Sequence, residues 1–161
     1  MAEQRLWAPW RLEYIKGPKD DRCIFCAAKG LGDDEAAYIV HRGEHCFVIL
    51  NAFPYNNGHL MVAPYAHVAS IEELGEPVLT DMMVLTKRSL AVLREEYGPE
   101  GFNIGLNQGK IAGAGVADHA HLHVVPRWGA DTNFMPVVGD TRVLPQLLSD
   151  SWRALSPRFA E

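Results

Sequence analysis

Residues 118–126 read DHAHLHVVP, and this stretch decides how the rest of the sequence is interpreted. Its alternation of polar and apolar residues predicts a β-strand over 118–126 that ends at Pro126. Because alternate side chains of a strand share a face, His119, His121 and His123 project together and the apolar residues between them face the core. Three neighbouring imidazoles repel one another when protonated, and each ring nitrogen needs a partner. The row therefore indicates a functional site rather than packing.

The elements around this strand predict an α+β fold. Apolar runs predict four further strands, and apolar spacing near the helical period predicts one long amphipathic helix over 77–97. The other strands are expected at 37–41, 45–52, 59–63 and 101–107, a short helix at 22–30 and a last helix at 141–154. Strands dominate the middle of the chain, so the expected architecture is a mostly antiparallel five-stranded sheet with one long helix and a short N-terminal helix.

The length of the chain predicts a single domain over residues 1–161. With 161 residues, of which 48% are hydrophobic, the chain can bury a core without disulfide staples. We divide it into an N-terminal arm (1–20), a core (21–128) and a C-terminal extension (129–161). Tryptophans are expected to anchor the two arms, namely Trp7, Trp10 and Trp152.

The composition excludes several classes of partner. The formal net charge is −5 and the pI is about 5.8, without the basic excess that a nucleic-acid-binding protein shows. No apolar run approaches the roughly 18 residues of a membrane helix, and the N-terminus lacks the apolar core of a signal peptide. We therefore expect a cytoplasmic protein with no nucleic-acid or membrane partner.

A glycine-rich loop over residues 107–115, NQGKIAGAG, directly precedes the histidines. Glycines let the backbone approach a ligand and turn successive N–H groups towards an anion. Lys110 and Arg127 are candidates for local positive charge beside such an anion. Loop and histidines together predict one site for an anionic ligand.

Two of the three cysteines, Cys23 and Cys26, form a C-x-x-C pair, which favours a metal or redox pair over a disulfide framework. A zinc site needs about four nitrogen or sulfur ligands, so histidines would have to complete it. The candidates are His41, His45, His59, His67 or one of the three neighbouring histidines. A redox pair and two buried cysteines are the alternatives. Cys46 lies in an apolar strand and is assigned to the core.

The stretch HAHLHVV over residues 119–125 resembles the motif of the histidine triad family of nucleotide hydrolases and transferases. The resemblance extends from about Cys23 to Arg127. Asn51 lies eight residues before His59, as in that family's ribose-binding strand and following turn. The residues Asn-Gln-Gly at 107–109 open its phosphate loop, and Pro-Arg at 126–127 closes its histidine strand.

The resemblance implies a covalent mechanism. His121 would attack the α-phosphorus of a nucleotide and form a nucleotidyl-histidine, which water or phosphate would resolve. His123 would hold the phosphate oxygens, and His59 corresponds to a fourth histidine near the site. The implied nucleotide-binding residues are Asn51 for the ribose, Ile24, Phe25 and Ile49 for the base, and Asn107, Gln108, Gly113, Gly115 and Val116 in the phosphate loop.

The resemblance to members with an early C-x-x-C pair also implies a structural zinc ion. Its ligands would be Cys23, Cys26, His67 and His119, so that the metal fastens the N-terminal helix to the histidine strand. His119 would then serve structure, and His121 would serve chemistry.

The terminal segments resemble bacterial members assigned to dinucleoside polyphosphates, particularly diadenosine tetraphosphate, some of which are hydrolases and some phosphorylases. Gly115 and Val116 depart from the Gln followed by Ser or Thr that many members carry, which slightly favours a phosphorylase or a different pocket. The resemblance further implies a homodimer or larger homo-oligomer through the long helix and a sheet edge.

Two alternatives of other classes are weighed against this function. In a metalloenzyme, the three neighbouring histidines would bind one catalytic ion, but they span about 13 Å along a strand. In a non-enzymatic module, the fold would bind a nucleotide without turning it over. That module predicts nucleotide binding without a covalent intermediate.

Overall fold

The structure is a computed structural model that describes residues 23–129, 131 and 144–160. In chain order its helices and strands are α1 (Ile24–Gly30), β1 (Ile39–Arg42), β2 (Cys46–Leu50), β3 (Leu60–Pro64), α2 (Glu76–Tyr97), β4 (Gly101–Leu106), β5 (Leu122–Arg127) and α3 (Leu148–Leu155). Short 3-10 helices lie at Ile71–Glu73, Lys110–Ala112 and Ser156–Phe159. The predicted arm (1–20) and residues 130, 132–143 and 161 of the predicted extension (129–161) lie outside the described residues. The helix predicted at 141–154 is α3, which begins only at Leu148.

The strands form one antiparallel sheet with the order β1-β2-β3-β5-β4. This arrangement confirms the α+β class and the five-stranded antiparallel sheet. The two central strands β2 and β3 are buried along their whole length. Both faces of the sheet are therefore covered, which explains why these strands read as continuous apolar runs.

One face of the sheet packs against α2. This helix begins after Gly75 with a proline in its first turn, and Gly98 ends it in the left-handed conformation. Thr86 and Ser89 lie on its buried face although the apolar spacing does not predict them there. Their hydroxyls donate to the carbonyl oxygens of Met82 and Leu85, which satisfies them inside the helix.

The other face of the sheet carries the candidate site. Side chains of Phe47, Ile49, Met61 and Ala63 form a second buried cluster there, and Phe25 of α1 packs into it. The register places His123 opposite Met61 and Met61 opposite Ile49. His123 therefore points to this face, while Leu122 and Val124 point to the α2 side, as the alternation predicts.

The histidine strand is shorter than predicted, because β5 begins at Leu122 rather than at residue 118. Its pairing with β3 ends where Leu122 lies opposite Val62. Before that point the Ala120 N–H donates to the Val68 carbonyl oxygen, 2.7 Å away, in the loop after β3. At Ala120, this hydrogen bond to the loop takes the place of the strand pairing, and His119 faces residues 64–68.

The turn before β3 is fixed by Gly58, whose φ of +74° favours glycine. A Cβ at this position would lie 2.9 Å from the Tyr97 ring at the end of α2. Glycine thus lets the chain pass close to the helix immediately before His59.

Within the described part of the chain, no helix has both the length and the apolar character that a bilayer crossing needs.

Candidate active site

Imidazole rings line the site face of the sheet next to Phe25. The ring centroids of His121 and His123 are 4.8 Å apart, and those of His123 and His59 are 5.1 Å apart. We call these three residues the histidine row. Phe25 continues the row on the other side of His121, with a centroid separation of 4.8 Å, and then contacts the ring of His119.

His121 is buried and held by the backbone. Its Nδ1 lies 2.8 Å from the carbonyl oxygen of His119. Because a carbonyl can only accept, Nδ1 carries the proton and Nε2 keeps its lone pair. Burial lowers the pKa of His121 below that of a free histidine, against the opposing effect of this hydrogen bond. Among the described residues Nε2 has no hydrogen-bond partner, so the ring is a neutral imidazole with an available lone pair, which is the form of a nucleophile.

His123 and His59 form a chain of hydrogen bonds that begins at a backbone amide. The Tyr55 N–H donates to His59 Nδ1 over 3.0 Å, so His59 carries its proton on Nε2. His59 Nε2 lies 2.9 Å from His123 Nδ1 and donates to it. His123 therefore carries its own proton on Nε2. Burial, with a smaller effect from His121, lowers the pKa of His123 to about 4, so this neutral ring presents a hydrogen-bond donor.

Cys23, Cys26, His67 and His119 come together as the resemblance implies, and we call them the Cys/His cluster. Their ligand atoms all lie within 4.8 Å of one another. Individual separations are 3.3 Å for Cys23 Sγ to His119 Nδ1 and 3.4 Å for Cys26 Sγ to His67 Nδ1. A tetrahedral zinc ion with two sulfur and two nitrogen ligands has edges of about 3.3–3.8 Å, so the donor set fits Zn²⁺.

The backbone also orients His119 for this cluster. Its Nε2 lies 2.9 Å from the carbonyl oxygen of Pro64 and donates to it. The lone pair of Nδ1 therefore faces the two thiols, as a metal ligand requires. The other candidate ligands are elsewhere: His41 stacks on Phe159, and His45 lies beside Glu44.

This geometry argues against the metalloenzyme alternative. His119 aims Nδ1 at the Cys/His cluster, while His121 and His123 use Nδ1 for hydrogen bonds to a carbonyl oxygen and to His59. The three neighbouring histidines therefore do not direct their ring nitrogens at one common metal position.

Asn51 lies beside the histidine row. Its Oδ1 accepts from the Phe53 N–H at 2.9 Å, and its Nδ2 is 3.4 Å from His59 Nδ1. Of the residues predicted to contact a base, Ile24 is 46% exposed, whereas Ile49 is 7% exposed and Phe25 is fully buried. In this conformation the Phe25 ring thus offers its surface to His119 and His121 rather than to a ligand.

The glycine-rich loop divides into two parts. At its start, Gln108 Oε1 accepts from the Ile71 N–H at 3.0 Å, so this side chain braces the 3-10 helix and does not reach the histidine row. Asn107 is half-buried, whereas Gly113, in the left-handed conformation, and Gly115 are exposed. At its end, Val116 packs against the buried cluster that contains Phe25. Only the end of the loop therefore lies beside the site.

The two predicted sources of positive charge differ. Lys110 is exposed on the loop. Arg127 lies at the far end of β5, where its Nε is 2.6 Å from an Asp131 carboxylate oxygen and its guanidinium also donates to Asn103. Its charge is thus engaged away from the histidine row, contrary to the expectation for an anion site.

Sequence reasoning misses Tyr55. Its amide sets the tautomer of His59, and its ring stacks on that of His123 with the planes 25° apart. A tyrosine inside a PYNNG turn gives no signal of this kind, since the contact depends on how the turn folds back on β3.

Comparisons with known proteins identify the family of this chain. The family model described as HIT domain matches residues 34–129. A Mycobacterium tuberculosis protein named AP-4-A phosphorylase is 40% identical over 165 aligned positions, which cover 98% of this chain and 85% of that protein. An uncharacterised HIT-like protein of Methanocaldococcus jannaschii is 34% identical and covers 68% of this chain and 81% of its own length.

Solved structures share the fold. A Zn-bound histidine triad family protein from Mycobacterium smegmatis superposes with a TM-score of 0.68 at 30% identity, covering 86% of this chain and 93% of its own. A Plasmodium falciparum diadenosine triphosphate hydrolase in complex with cyclomarin A superposes with a TM-score of 0.65 at 17% identity. It covers 80% of this chain and 78% of its own, and at this identity the likeness is one of fold alone.

Proposed function

Since this chain belongs to the HIT family, we propose that it transfers a nucleotidyl group from a dinucleoside polyphosphate, of the diadenosine tetraphosphate type, to inorganic phosphate through a covalent intermediate on His121. The observation that carries the proposal is the fixed tautomer of His121, whose Nδ1 donates to the His119 carbonyl and whose Nε2 has no partner within the described part of the chain. The substrate class follows the 40%-identical relative named AP-4-A phosphorylase.

In the first step, His121 Nε2 attacks the α-phosphorus and forms a P–N bond while the bond from that phosphorus to the bridging oxygen breaks. The positive charge that develops on the ring is stabilised by the His119 carbonyl oxygen, which accepts from Nδ1. The leaving nucleoside polyphosphate departs as an anion, because its terminal phosphate has a pKa of about 6. The step therefore needs hydrogen-bond donors more than it needs a strong acid.

His123 supplies such a donor. With Nδ1 accepting from His59, its Nε2–H is free to donate to a phosphate oxygen. His59 is buried and acts through His123, so its role is to hold that tautomer. In the second step, an oxygen of inorganic phosphate attacks the same phosphorus, the P–N bond breaks, and neutral His121 is restored.

The loop and the strand ends provide the nucleotide contacts in this proposal. Loop amides near Gly113 and Gly115 would bind phosphate oxygens, with Asn107 and Gln108 at the start of the loop. Asn51 would bond the ribose hydroxyls after releasing its contact to His59. Ile24 is the exposed candidate beside the base, with Ile49 and Phe25 beneath it and Val116 opposite.

We propose that the Cys/His cluster binds a structural zinc ion. When bound, the ion cross-links α1 to the loops before β5 and supplies no chemistry to the reaction. Thiolate ligands of this kind are maintained by a reducing compartment, in keeping with the cytoplasmic location that the sequence predicts.

Two exposed surfaces support a homodimer. β4 is an edge strand of the sheet and exposes 46% of Ile104, and α2 exposes 57% of Met83 and 55% of Val84. An uncovered edge strand with apolar side chains tends to pair with another chain. We expect sedimentation equilibrium to give twice the monomer mass, and Ile104→Lys to give the monomer.

The proposed function is tested by product analysis on diadenosine tetraphosphate with and without inorganic phosphate. We expect ADP plus ATP, strictly dependent on phosphate, from the wild-type protein and none from His121→Ala. His45→Ala is the matched control, because this side chain lies beside Glu44 on the β1–β2 hairpin and belongs neither to the histidine row nor to the Cys/His cluster.

The other outcomes have defined meanings. AMP plus ATP without phosphate would show that water resolves the intermediate, so that the protein is a hydrolase of the same covalent type. Binding of the dinucleotide with equal inactivity of the wild type and His121→Ala would contradict the enzymatic proposal and favour a nucleotide-binding module.

A further inference from the structure

We propose that Phe25 is a positioning residue that holds the ring of His121 in place and that is held in turn by a metal in the Cys/His cluster. The inference rests on the proposed function of His121 as the nucleophile. It adds alignment of the reacting group to the place that Phe25 has beneath the base.

The first observation is where Phe25 lies. It stands between the two cysteines of the cluster in the sequence and is fully buried. Its ring centroid is 5.0 Å from that of His119, a member of the cluster, and 4.8 Å from that of His121. The same aromatic ring thus contacts a predicted metal ligand and the predicted nucleophile.

The second observation is how α1 is anchored. The helix has seven residues, and the side chain of its N-cap residue, Cys23, makes no capping hydrogen bond. A helix of this length is unstable by itself in water. Its contacts with the body include the Lys29 ammonium to the Tyr65 carbonyl oxygen and the Arg42 guanidinium to the Lys29 carbonyl oxygen. Bonds from Cys23 and Cys26 through a metal to His67 and His119 would provide the strongest anchor.

The third observation is the packing of His121. Phe25 contacts one side of the ring, and His123 contacts another, with the planes 73° apart. The hydrogen bond from Nδ1 to the His119 carbonyl restrains one edge of the ring, but a single contact of this kind still permits some rotation about the Cα–Cβ and Cβ–Cγ bonds. Packing against Phe25 restricts this rotation and keeps Nε2 aimed at the substrate, and a misplacement of about 1 Å lowers a rate by as much as 10²-fold.

The test combines metal removal with substitution. Zinc-loaded and zinc-free forms of the wild type, Phe25→Leu and Phe159→Leu are compared by the single-turnover rate of nucleotidyl transfer at saturating dinucleotide. Phe159 is the matched control, because it is 1% exposed and packs on His41, away from the histidine row. Zinc content and the circular dichroism spectrum are measured on every sample.

Three results are expected. Removal of zinc from the wild type, or Phe25→Leu with zinc bound, lowers the single-turnover rate about 10–100-fold with little change in KM. Removal of zinc from Phe25→Leu lowers the rate little further, because both changes release the same ring. Phe159→Leu keeps the full dependence on zinc.

A spectroscopic readout is independent of turnover. At fixed pH, the Nδ1 proton of His121 is expected to give a sharp NMR signal in the zinc-loaded wild type and a broadened one in the zinc-free form and in Phe25→Leu. This comparison of the two wild-type forms needs no variant. If Phe25→Leu fails to fold, the more conservative Phe25→Met replaces it.

Several outcomes overturn the inference. A zinc-loaded Phe25→Leu variant with the wild-type rate does so. Multiplicative effects of zinc removal and Phe25→Leu on the rate also overturn it. A raised KM with an unchanged rate does so too, because it would assign Phe25 to the base pocket alone. Failure of the zinc-loaded wild type to form a nucleotidyl-histidine contradicts the proposed function instead. A His121 NMR signal that does not respond to zinc contradicts the coupling alone.

Discussion

The Cys/His cluster and the histidine row lie side by side on the same face of the sheet, and they use the imidazole ring in opposite ways. The Pro64 carbonyl oxygen accepts a hydrogen bond from His119 Nε2–H, which leaves the lone pair of Nδ1 facing the two thiols. The His119 carbonyl oxygen accepts a hydrogen bond from His121 Nδ1–H, so the lone pair of this ring is on Nε2. Two residues that are only two positions apart thus receive different chemistry from the backbone groups that they contact.

The comparison shows that the backbone assigns these roles. The same holds for His59. The Tyr55 N–H donates to its Nδ1, so the proton of the ring is on Nε2 and is donated to His123. His119, His121 and His123 are buried or half-buried, and desolvation lowers the pKa of each ring, so the neutral form is favoured and its tautomer decides the chemistry.

The largest expected effect separates the two groups directly. His121→Ala should lower phosphate-dependent turnover by about 10³-fold or more and leave zinc content unchanged, because it removes the proposed nucleophile and none of the proposed metal ligands. His67→Ala should lower zinc affinity, with a smaller loss of turnover in the protein that stays folded. Metal analysis and turnover on the same samples provide the check, and equal metal loss in both variants would contradict the division.

A second prediction concerns the tautomer of His123. His59→Ala should lower kcat about 10–100-fold, since His123 loses the donor that fixes its proton on Nε2. His59→Gln can still donate to His123 Nδ1 and should recover part of the rate. Steady-state kinetics on both variants decide this point; a glutamine variant as slow as the alanine variant would exclude the positioning role.

A third prediction concerns pH. Since burial and His121 lower the pKa of His123 to about 4, an NMR titration should find its ring neutral at pH 5, unlike a free histidine. A lowered folded pKa means that this contribution to stability is complete above the unfolded pKa of about 6.5 and is lost as the pH falls through 4. Removal of the neighbouring ring in His121→Ala should raise the pKa of His123, and a titration near 6.5 in the wild type would contradict its burial.

The smallest effect distinguishes the cluster from the core. Cys46 is buried, and desolvation raises the pKa of its thiol to about 12, so an alkylating reagent at neutral pH should not modify it. Cys23 and Cys26 are half-buried and should become reactive when a chelator removes the metal. Mass spectrometry should then count two modified cysteines, whereas modification of Cys46 in the folded protein would show that the strand opens.

Much of the fold follows from periodicity in the sequence. Continuous apolar runs predict β2 and β3 because both faces of the sheet are covered, and the helical spacing predicts α2 to within one residue at its start. The start of β5 is not predictable in this way, since the alternation continues to residue 118 although the chain leaves the sheet at Leu122. A long-range hydrogen bond from Ala120 to Val68 ends the strand there.

The site was predictable as a set of residue types but not as a set of bonds. The resemblance implied the four members of the Cys/His cluster, and the structure brings them together. The alternation also placed His121 and His123 on one face. It did not indicate that Gln108 braces a 3-10 helix or that Arg127 pairs with Asp131, because these contacts join segments whose proximity depends on the folded chain.

The central claim is that His121 forms the covalent intermediate, and the most direct measurement is to trap it. The protein is mixed with diadenosine tetraphosphate in the absence of phosphate, quenched in alkali and digested for peptide mass spectrometry. The account predicts one added nucleotidyl group on the peptide that carries residues 119–123, located on His121 and absent from His121→Ala. A nucleotidyl group on another residue, or turnover with no modified peptide under conditions that stabilise a P–N bond, would contradict it.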